Sequence, residues 1–251
     1  MGSGLLIGFI LVILSACYTN GLTLSDLYPY GTELGDTISS ESSITYKPLQ
    51  PSIDNLVRLG SVGLTATRYH VGIRGFLTFE NDNGDSISMN LLFKSSGDFS
   101  NTKAYGRTTA DPGLINRAMD QINEGFPNTF CSTSPPTQLI IGTWIDYLKT
   151  GSNQGSNFQL IVATNGNITF GIALYVNVRI ASADAGIDSL INSNYVPVDP
   201  SFFPFGTTIM NAPSMMLNSN IPGTYIFSLN HVSPGAHASY QYLNTLALGL
   251  D

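Results

Sequence analysis

The residues best suited to nucleophilic or general-base chemistry are three histidines and two cysteines. His70 lies in a stretch that predicts a β-strand, whereas His231 and His237 fall in a weakly patterned C-terminal segment. Serine or cysteine hydrolysis needs a histidine base and an orienting carboxylate, and no Gly-x-Ser-x-Gly elbow surrounds any serine. A zinc site needs closely spaced ligands, and His231 and His237 are poorly spaced for one. The sequence therefore predicts no catalytic, cofactor-binding or metal-binding residues.

Residues 81–85 (Asn-Asp-Asn-Gly-Asp) have the composition of a calcium-binding loop. If Gly84 were the sixth residue of an EF-hand, the first and twelfth positions would hold Phe79 and Asn90, which are not acidic. The EF-hand interpretation therefore fails. An Asn-Gly pair between two apolar runs instead predicts a hairpin turn, with a calcium site of another type, formed by Asp82 and Asp85, as the alternative.

Two residues are candidates for covalent modification. If a leader peptide is cleaved beyond Cys17, then Cys131 is left without a partner, which suggests either intermolecular pairing or burial. We expect burial, which is the commoner outcome. Asn167 opens the N-x-S/T sequon Asn-Ile-Thr, so it either carries a glycan in a secreted protein or serves only as a turn residue.

The composition of the chain argues against nucleic acid as a partner. Charged residues make up 11% of the sequence and the formal net charge is −7. Because nucleic-acid binding needs clustered lysine and arginine, the ten scattered basic residues argue against it.

The apolar run Leu5–Leu14 is too short to span a bilayer and is followed by small residues, which is typical of a signal peptide. We expect residues 1–20 to be that peptide, with a signal anchor or a lipoprotein leader ending at Cys17 as alternatives, and no membrane span in the mature chain.

The elements that would position any site are mainly β-strands. Apolar runs at 139–147, 158–163 and 168–178 are separated by Gly- and Asn-rich breaks, and Asn165-Gly166 predicts a two-residue hairpin turn. These runs predict a three-stranded antiparallel meander that carries Trp144, the single tryptophan.

Other segments predict further strands, connections and one helix. Strand patterns occupy 56–79 and 224–229, whereas 97–109 predicts a loop or weak edge strand and 181–199 an irregular connection. Asp111 as N-cap, a following proline and an apolar stripe predict a helix over about 111–124, which Gly125 would end in a left-handed conformation. The aromatic cluster at 202–205 is expected in the core. The sequence thus predicts a mainly β, antiparallel β-sandwich with one packed α-helix.

Seven short segments follow one another in an order and spacing that match a known module. They are Tyr28-Pro29-Tyr30-Gly31 with Asp36, Arg74 to Phe79, Gly106-Arg107 to Ile122, Thr143-Trp144 with Tyr147, Asn157 to Gly166, Ala183 to Ile187, and Ile221 to Phe227. Together these segments resemble the nidogen extracellular (NIDO) domain, which occurs in nidogens and alpha-tectorin. The residues that carry its core signature are Trp144, Phe158, Phe79, Pro222 and Gly223.

The resemblance also has departures. Arg74 stands where the family usually has asparagine, and Leu91-Leu92-Phe93 replaces an acidic, tryptophan-containing segment. The chain therefore resembles a divergent member, with a domain expected over 24–231 and a tail or linker over 232–251.

The resemblance implies a secreted, non-catalytic module of cell–matrix adhesion. We expect it to bind extracellular matrix or cell-surface proteins, or matrix glycans. The alternative is a structural subunit that self-associates into an extracellular coat or gel through Cys131. A hydrolase is the third hypothesis, and it would need convergent Asp, Ser and His side chains.

Overall fold

The computed structural model describes residues 21–41, 44–59, 62–151, 153–199, 203 and 208–230. Within these ranges the chain forms twelve β-strands and one α-helix. The strands are β1 (Thr37–Ser39), β2 (Lys47–Leu59), β3 (Val62–Gly72), β4 (Phe76–Glu80), β5 (Ser86–Phe93), β6 (Lys103–Thr109), β7 (Gln138–Tyr147), β8 (Ser156–Thr164), β9 (Thr169–Asn177), β10 (Asp184–Ile191), β11 (Asn194–Asp199) and β12 (Thr224–Ser228). The helix is α1 (Pro112–Gly125).

The strands form two six-stranded sheets. Sheet I has the order β1-β6-β7-β8-β9-β12, and sheet II has the order β11-β10-β5-β4-β3-β2. Neighbouring strands in both sheets are antiparallel. The predicted antiparallel β-sandwich with one packed helix is therefore confirmed.

Sheet I is buried on both faces, which explains its sequence. One face packs against sheet II in a large core that includes Trp144, Phe158 and Phe79. The other face packs against α1 and the segment around Tyr28 in a second core. All nine residues of β8 are buried as a result, and this is why its middle, from Phe158 to Ala163, is apolar apart from Gln159.

Sheet II shows the alternation of a sheet with one polar face. In β5 the side chains of Ile87, Met89 and Leu91 join the core, whereas the intervening Ser88 and Asn90 point the other way.

The helix begins as the sequence predicts and ends differently. The Asp111 carboxylate accepts a hydrogen bond from the backbone N–H of Leu114 at 2.9 Å, and Pro112 occupies the first turn. Ala118 and Ile122 are buried against sheet I. Gly125, predicted as a left-handed stop, is instead the last helical residue, followed by Phe126 at φ −134°. A Cβ at Gly125 would overlap the Asn218 backbone, so close packing explains this glycine.

Three local predictions were wrong. The β8–β9 connection has four residues, 165–168, because Thr164 pairs with Thr169 rather than the strands closing on a two-residue turn. Strand β6 lies inside sheet I because β1 pairs along its outer side, so it is neither a loop nor an edge strand. Residues 181–199 contain the hairpin β10–β11, whose two-residue turn has positive φ at Asn192 and Ser193.

Some predictions lie outside the described residues. They are the signal peptide at 1–20, Cys17, the tail at 232–251, and Phe202 and Phe205 of the aromatic cluster. Phe203 of that cluster is buried and packs edge-on against Phe227 at 5.2 Å, as expected for a core residue.

Among the described residues, no helix combines the length and the hydropathy that a membrane crossing requires.

Candidate interaction surface

Two aromatic residues of β7, Trp144 and Tyr147, join the sheets. The Trp144 indole N–H donates to the backbone oxygen of Gly72 across the sandwich at 2.8 Å, and its ring stacks on Phe158 with 5.0 Å between centroids. The neighbouring Tyr147 hydroxyl lies 2.6 Å from the Leu92 backbone oxygen in sheet II. Buried indole N–H and phenol O–H groups need hydrogen-bond partners. Because the partners here lie in sheet II, the two side chains both fill the core and fix how the sheets align. Trp144 and Phe158 are therefore structural residues.

The remaining signature residues also support the fold. Phe79 is fully buried between the sheets. Gly223 adopts φ +86°, and a Cβ there would overlap the backbone oxygen of Tyr175. The Gly223 backbone also bonds to Met215 and Tyr175 at 2.7 and 2.8 Å, with Pro222 half-buried beside it. The signature marks the scaffold rather than a surface site.

A buried ion pair, which the sequence analysis did not predict, holds the N-terminal segment against β6. Arg107 on β6 lies 2.8 Å from the Asp36 carboxylate, and its other terminal nitrogen donates to the Pro29 backbone oxygen at 2.7 Å. The second oxygen of Asp36 accepts from the Gly31 N–H at 2.6 Å. Asp36 and Arg107 both stand in segments that resemble the family, and only the fold shows that they pair.

The buried side chain of Gln159 provides a second attachment for the same segment. Its amide oxygen accepts from the Tyr28 backbone N–H at 2.7 Å, and its amide nitrogen donates to the Tyr28 oxygen at 2.9 Å. The same nitrogen donates to the Thr143 hydroxyl at 2.7 Å. A polar residue within an apolar strand is the signal that could have identified this contact, because a buried amide needs partners.

The sequon asparagine lies on an exposed loop. Asn167 is exposed in the four-residue β8–β9 connection, where the Asn165 side chain accepts hydrogen bonds from the N–H groups of Asn167 and Ile168. The Asn167 side chain is thus accessible, while the loop backbone is held by its neighbour.

The prediction that Cys131 is buried was wrong. The residue is exposed and unpaired among the described residues, because it lies in the turn after α1 rather than beneath a sheet. Hydrogen bonds from the Thr133 hydroxyl and the backbone of Thr133 and Ser134 lower the pKa of its thiol. The amide of Asn165 donates to the Ser134 hydroxyl at 3.1 Å, so Cys131 and the sequon loop lie at the same end of the molecule.

Among the described residues, His70 makes no hydrogen bond to a serine, cysteine or carboxylate side chain, as a hydrolase site would require. His70 is buried on β3, its Nδ1 lies 3.2 Å from the Thr45 backbone oxygen, and burial lowers its pKa. His231 and His237 lie outside the described residues. Within the described ranges, no group of three or more His, Cys, Asp or Glu residues could hold a metal ion.

The two acids of the proposed calcium loop have protein partners. Asp82 accepts a hydrogen bond from Thr67 at 2.8 Å. Asp85 accepts from the Asn192 N–H at 2.7 Å and from the Asn81 amide at 3.1 Å.

The outward face of sheet II carries a row of polar side chains. The cross-strand register aligns His70, Thr78, Ser88 and Asp188 across β3, β4, β5 and β10; we call these four residues the polar row. The Thr78 and Ser88 hydroxyls are 2.8 Å apart. Burial raises the pKa of Asp188, against the opposing effect of hydrogen bonds from its neighbours.

Further groups hold the Asp188 carboxylate. One oxygen accepts from the Asn90 amide at 3.1 Å and from the Tyr195 hydroxyl at 3.4 Å. A side-chain hydrogen bond from Ser88 also reaches this carboxylate.

An aromatic ring lies beside the polar row. Phe76 pairs with Gly72, and a Cβ on that glycine would overlap the phenyl ring, so the ring lies across the glycine. The edges of His70 and Phe93 approach this ring, with centroid separations of 6.0 and 5.8 Å. At the neighbouring register position Arg68 pairs with Glu80, which neutralises both charges. The face thus combines hydroxyl, amide and carboxylate groups with an aromatic surface.

Comparison with known proteins identifies the family. A family model described as the nidogen-like domain matches residues 68–231, which is more than half of the chain. No solved structure gives a significant match. Nidogen-like domains are extracellular modules of a non-enzymatic type. The chain belongs to the nidogen-like (NIDO) domain family.

Proposed function

We propose that this chain is a secreted adhesion module that binds extracellular matrix or cell-surface proteins. Membership of an extracellular, non-enzymatic family carries the proposal. The hydrogen bonds that Trp144 and Tyr147 make across the sandwich support it, because they hold the two sheets and their loops in one arrangement. A rigid surface loses less conformational entropy on binding than a flexible one, which favours recognition by shape.

Catalysis is not part of the proposed function. His70, the histidine within the described residues, is buried with one ring nitrogen against a backbone carbonyl. General-base catalysis needs the other ring nitrogen within reach of a substrate proton, and the burial of His70 is unfavourable for that contact.

The proposed organisation has three parts. Residues 1–20 act as a signal peptide, 24–231 form the adhesive domain, and 232–251 are a tail or linker. Sequencing the N-terminus of the secreted product tests the first boundary. A mature chain that begins between Cys17 and Leu22 is the expected result, and a retained residue 1 would contradict it.

Matrix capture tests the adhesive function. The full chain, immobilised through its C-terminus, is incubated with solubilised extracellular matrix and with a cytosolic lysate as control. Selective and saturable capture of a matrix or cell-surface protein supports the proposal. Equal recovery from both extracts, or no recovery from matrix, contradicts it.

The exposure of Cys131 favours one second candidate, a self-assembling subunit of an extracellular coat or gel. Neighbouring hydrogen bonds favour the thiolate, which is the form that reacts in disulfide exchange. Non-reducing electrophoresis of the secreted chain should show a dimer that Cys131→Ser abolishes. A monomer in both samples would reject assembly through this thiol.

We also propose that Asn167 carries an N-linked glycan. The residue is exposed in the β8–β9 loop, so its side chain is accessible for modification. Peptide N-glycosidase should reduce the mass of the secreted chain, and Asn167→Gln should remove this change. An unchanged mass would leave Asn167 as a turn residue.

A further inference from the structure

We propose that the turn between β4 and β5 is a site of covalent modification, at which Asn83 loses its side-chain amide and becomes aspartate or isoaspartate. The reaction needs water but no enzyme, and it does not depend on the proposed adhesive function. Three features support it: the Asn-Gly sequence of the turn, the unrestrained side chain of Asn83, and the contrast with Asn165-Gly166, which the fold restrains.

The reaction joins the asparagine side chain to the backbone nitrogen of the next residue. The Gly84 nitrogen gives up its proton and forms a bond to Cγ of Asn83. The bond between Cγ and the side-chain nitrogen breaks, and ammonia leaves with that proton, which closes a succinimide ring. Water then adds to either carbonyl of the ring, and the carbonyl–nitrogen bond at that carbon breaks. One water is consumed, one amide becomes a carboxylate, and nothing is oxidised or reduced.

Glycine after the asparagine favours ring closure because it has no Cβ to obstruct the approach to its nitrogen. The chain contains three Asn-Gly pairs, at 20–21, 83–84 and 165–166. Asn20 lies outside the described residues, so the structure permits a comparison of the other two pairs.

The Asn83 side chain is exposed, and the hydrogen bonds that shape the turn are made by its neighbour. The Asn81 side-chain oxygen accepts from the N–H groups of Asn83 and Asp85, both at 2.9 Å, and the Asn81 amide donates to the Asp85 carboxylate at 3.1 Å. Within the described part of the chain, the Asn83 amide itself has no such bond. It is therefore free to turn towards the next backbone nitrogen.

The attacking group, the Gly84 nitrogen, is also accessible. Gly84 is exposed and its N–H donates to the Asn81 backbone oxygen at 3.3 Å, which is longer than the usual range of about 2.7–3.2 Å. Apart from the chain neighbours, no heavy atom lies within 4 Å of the place where a Cβ would stand on this glycine. The weak hydrogen bond and the open space both favour closure of the ring.

The Asn165 side chain, by contrast, is held by three hydrogen bonds. Its oxygen accepts from the N–H groups of Asn167 and Ile168 at 3.1 and 2.8 Å. Its nitrogen donates to the Ser134 hydroxyl at 3.1 Å. These bonds restrict the rotation that brings Cγ to the following nitrogen.

The glycine of this second pair is restrained as well. Gly166 is buried, and its N–H donates to the Thr164 hydroxyl at 2.9 Å. Its carbonyl oxygen accepts from the Asp54 N–H at 2.7 Å. Ring closure at Asn165 therefore requires the loop to open first, which adds the free energy of that opening to the barrier.

Modification at position 83 changes a turn that contacts other strands. Asp82 accepts a hydrogen bond from Thr67 at 2.8 Å, and Asp85 accepts one from the Asn192 N–H at 2.7 Å. A new carboxylate between these two acids adds one negative charge to the turn, and isoaspartate also adds a methylene group to its backbone. The charge and shape of this end of sheet II therefore change as the protein ages.

Peptide mapping by mass spectrometry tests the inference. The full chain is incubated in mildly alkaline buffer at body temperature, either native or in urea, and is digested at successive times. The peptides that contain Asn83 and Asn165 each report the conversion of amide to acid, and fragmentation separates aspartate from isoaspartate. Asn167→Gln is analysed beside the wild type, so that no glycan obscures the Asn165 peptide. Asn83→Gln is the test variant, because its longer side chain closes a larger and less favourable ring.

In the native chain we expect Asn83 to convert at least about tenfold faster than Asn165. In urea the two rates should become similar, because only the fold distinguishes the two pairs. Isoaspartate should accompany aspartate at position 83, since the ring opens at either carbonyl, and Asn83→Gln should abolish the conversion there.

Several results would overturn the inference. Conversion in the native chain that is equal at the two sites, or slower at Asn83, would show that the turn is not the favoured site. Aspartate without isoaspartate at position 83, or equal conversion in Asn83→Gln, would exclude the cyclic step. A difference in rate that persists in urea would mean that the sequence, rather than the fold, selects the site.

Discussion

At the scale of single residues, ionisation of Asp188 makes the stability of the native state depend on pH. Burial raises its pKa above the ordinary value of 3.8, so the native state holds the proton more tightly than the unfolded chain does. The stability that this group contributes is therefore complete below pH 3.8 and is lost as the pH rises through the raised folded value.

Replacement of Asp188 by asparagine removes this titration. The free energy of unfolding of Asp188→Asn, relative to the wild type, should rise as the pH increases above the ordinary carboxyl pKa of 3.8, because only the wild type develops a desolvated charge. Urea unfolding followed by the fluorescence of buried Trp144 measures both proteins, with Asp120→Asn, on the exposed side of α1, as the control. A relative stability that is constant or falls over this interval would contradict the assignment.

The Asp36–Arg107 pair is expected to be sensitive to the loss of either partner. Arg107→Met should reduce the free energy of unfolding by about 3–5 kcal/mol, because it leaves a buried carboxylate without its partner. Asp36→Leu combined with Arg107→Met should cost less than the sum of the two single changes. A full double-mutant cycle by urea denaturation provides the measurement. Strictly additive costs would show that the pair is not coupled.

At the scale of elements, the end of α1 depends on a close approach between two segments. Gly125→Ala would improve helix propensity in isolation, yet here its Cβ would overlap the Asn218 backbone. We expect the variant to lose about 1–3 kcal/mol of stability through this overlap. Gly113→Ala, in the first turn of the same helix, should change stability by less than about 1 kcal/mol.

Thermal unfolding of the two glycine variants shows whether packing against Asn218 or intrinsic helix propensity determines stability at the end of α1. A lower midpoint for Gly125→Ala only supports the close approach. Equal or higher midpoints for both variants would show that the segment around Asn218 moves aside without cost.

The sequence determines some elements well because their signals are local. The strand pattern that covers β4, the hairpin turn at Asn83-Gly84 and the Asp111 cap each depend on neighbouring residues, and the structure confirms them. Strand β6 was missed because its polar residues face partners that are distant in sequence; Arg107 reaches Asp36. Likewise, nothing local in the turn after α1 distinguishes a buried Cys131 from an exposed one.

The polar row illustrates the same limit for the candidate site. Its residues come from four strands that span 118 positions of sequence, between His70 and Asp188, and only the sheet register aligns them. Taken alone, each residue of the row shows only the pattern of an outward-facing position in an alternating strand. That Trp144, Phe158 and Phe79 belong to the core, by contrast, was anticipated from the order of the short motifs that resemble the family.

At the scale of the whole molecule, the folded unit extends beyond the segment that matches the family model. That segment begins at residue 68, yet Tyr28 and Asp36 are buried against sheet I and bonded to Gln159 and Arg107. Removal of residues 22–36 should expose the helix side of sheet I and leave both polar partners unsatisfied.

Deletion of residues 22–36 is therefore expected to abolish cooperative unfolding and to prevent secretion of soluble protein. Circular dichroism and size-exclusion chromatography of the deletion variant, with the full chain in parallel, provide the test. A soluble variant with the melting behaviour of the full chain would show that the N-terminal segment is dispensable.

The central claim is that this chain works as an extracellular binding module, and retention on intact matrix tests it most directly. Fluorescently labelled full chain is titrated onto decellularised matrix, with excess unlabelled chain as competitor and a heat-unfolded sample as control. The account predicts saturable retention that the native competitor displaces and that the unfolded sample lacks. Retention that does not saturate, or that is equal for the native and unfolded samples, would contradict it.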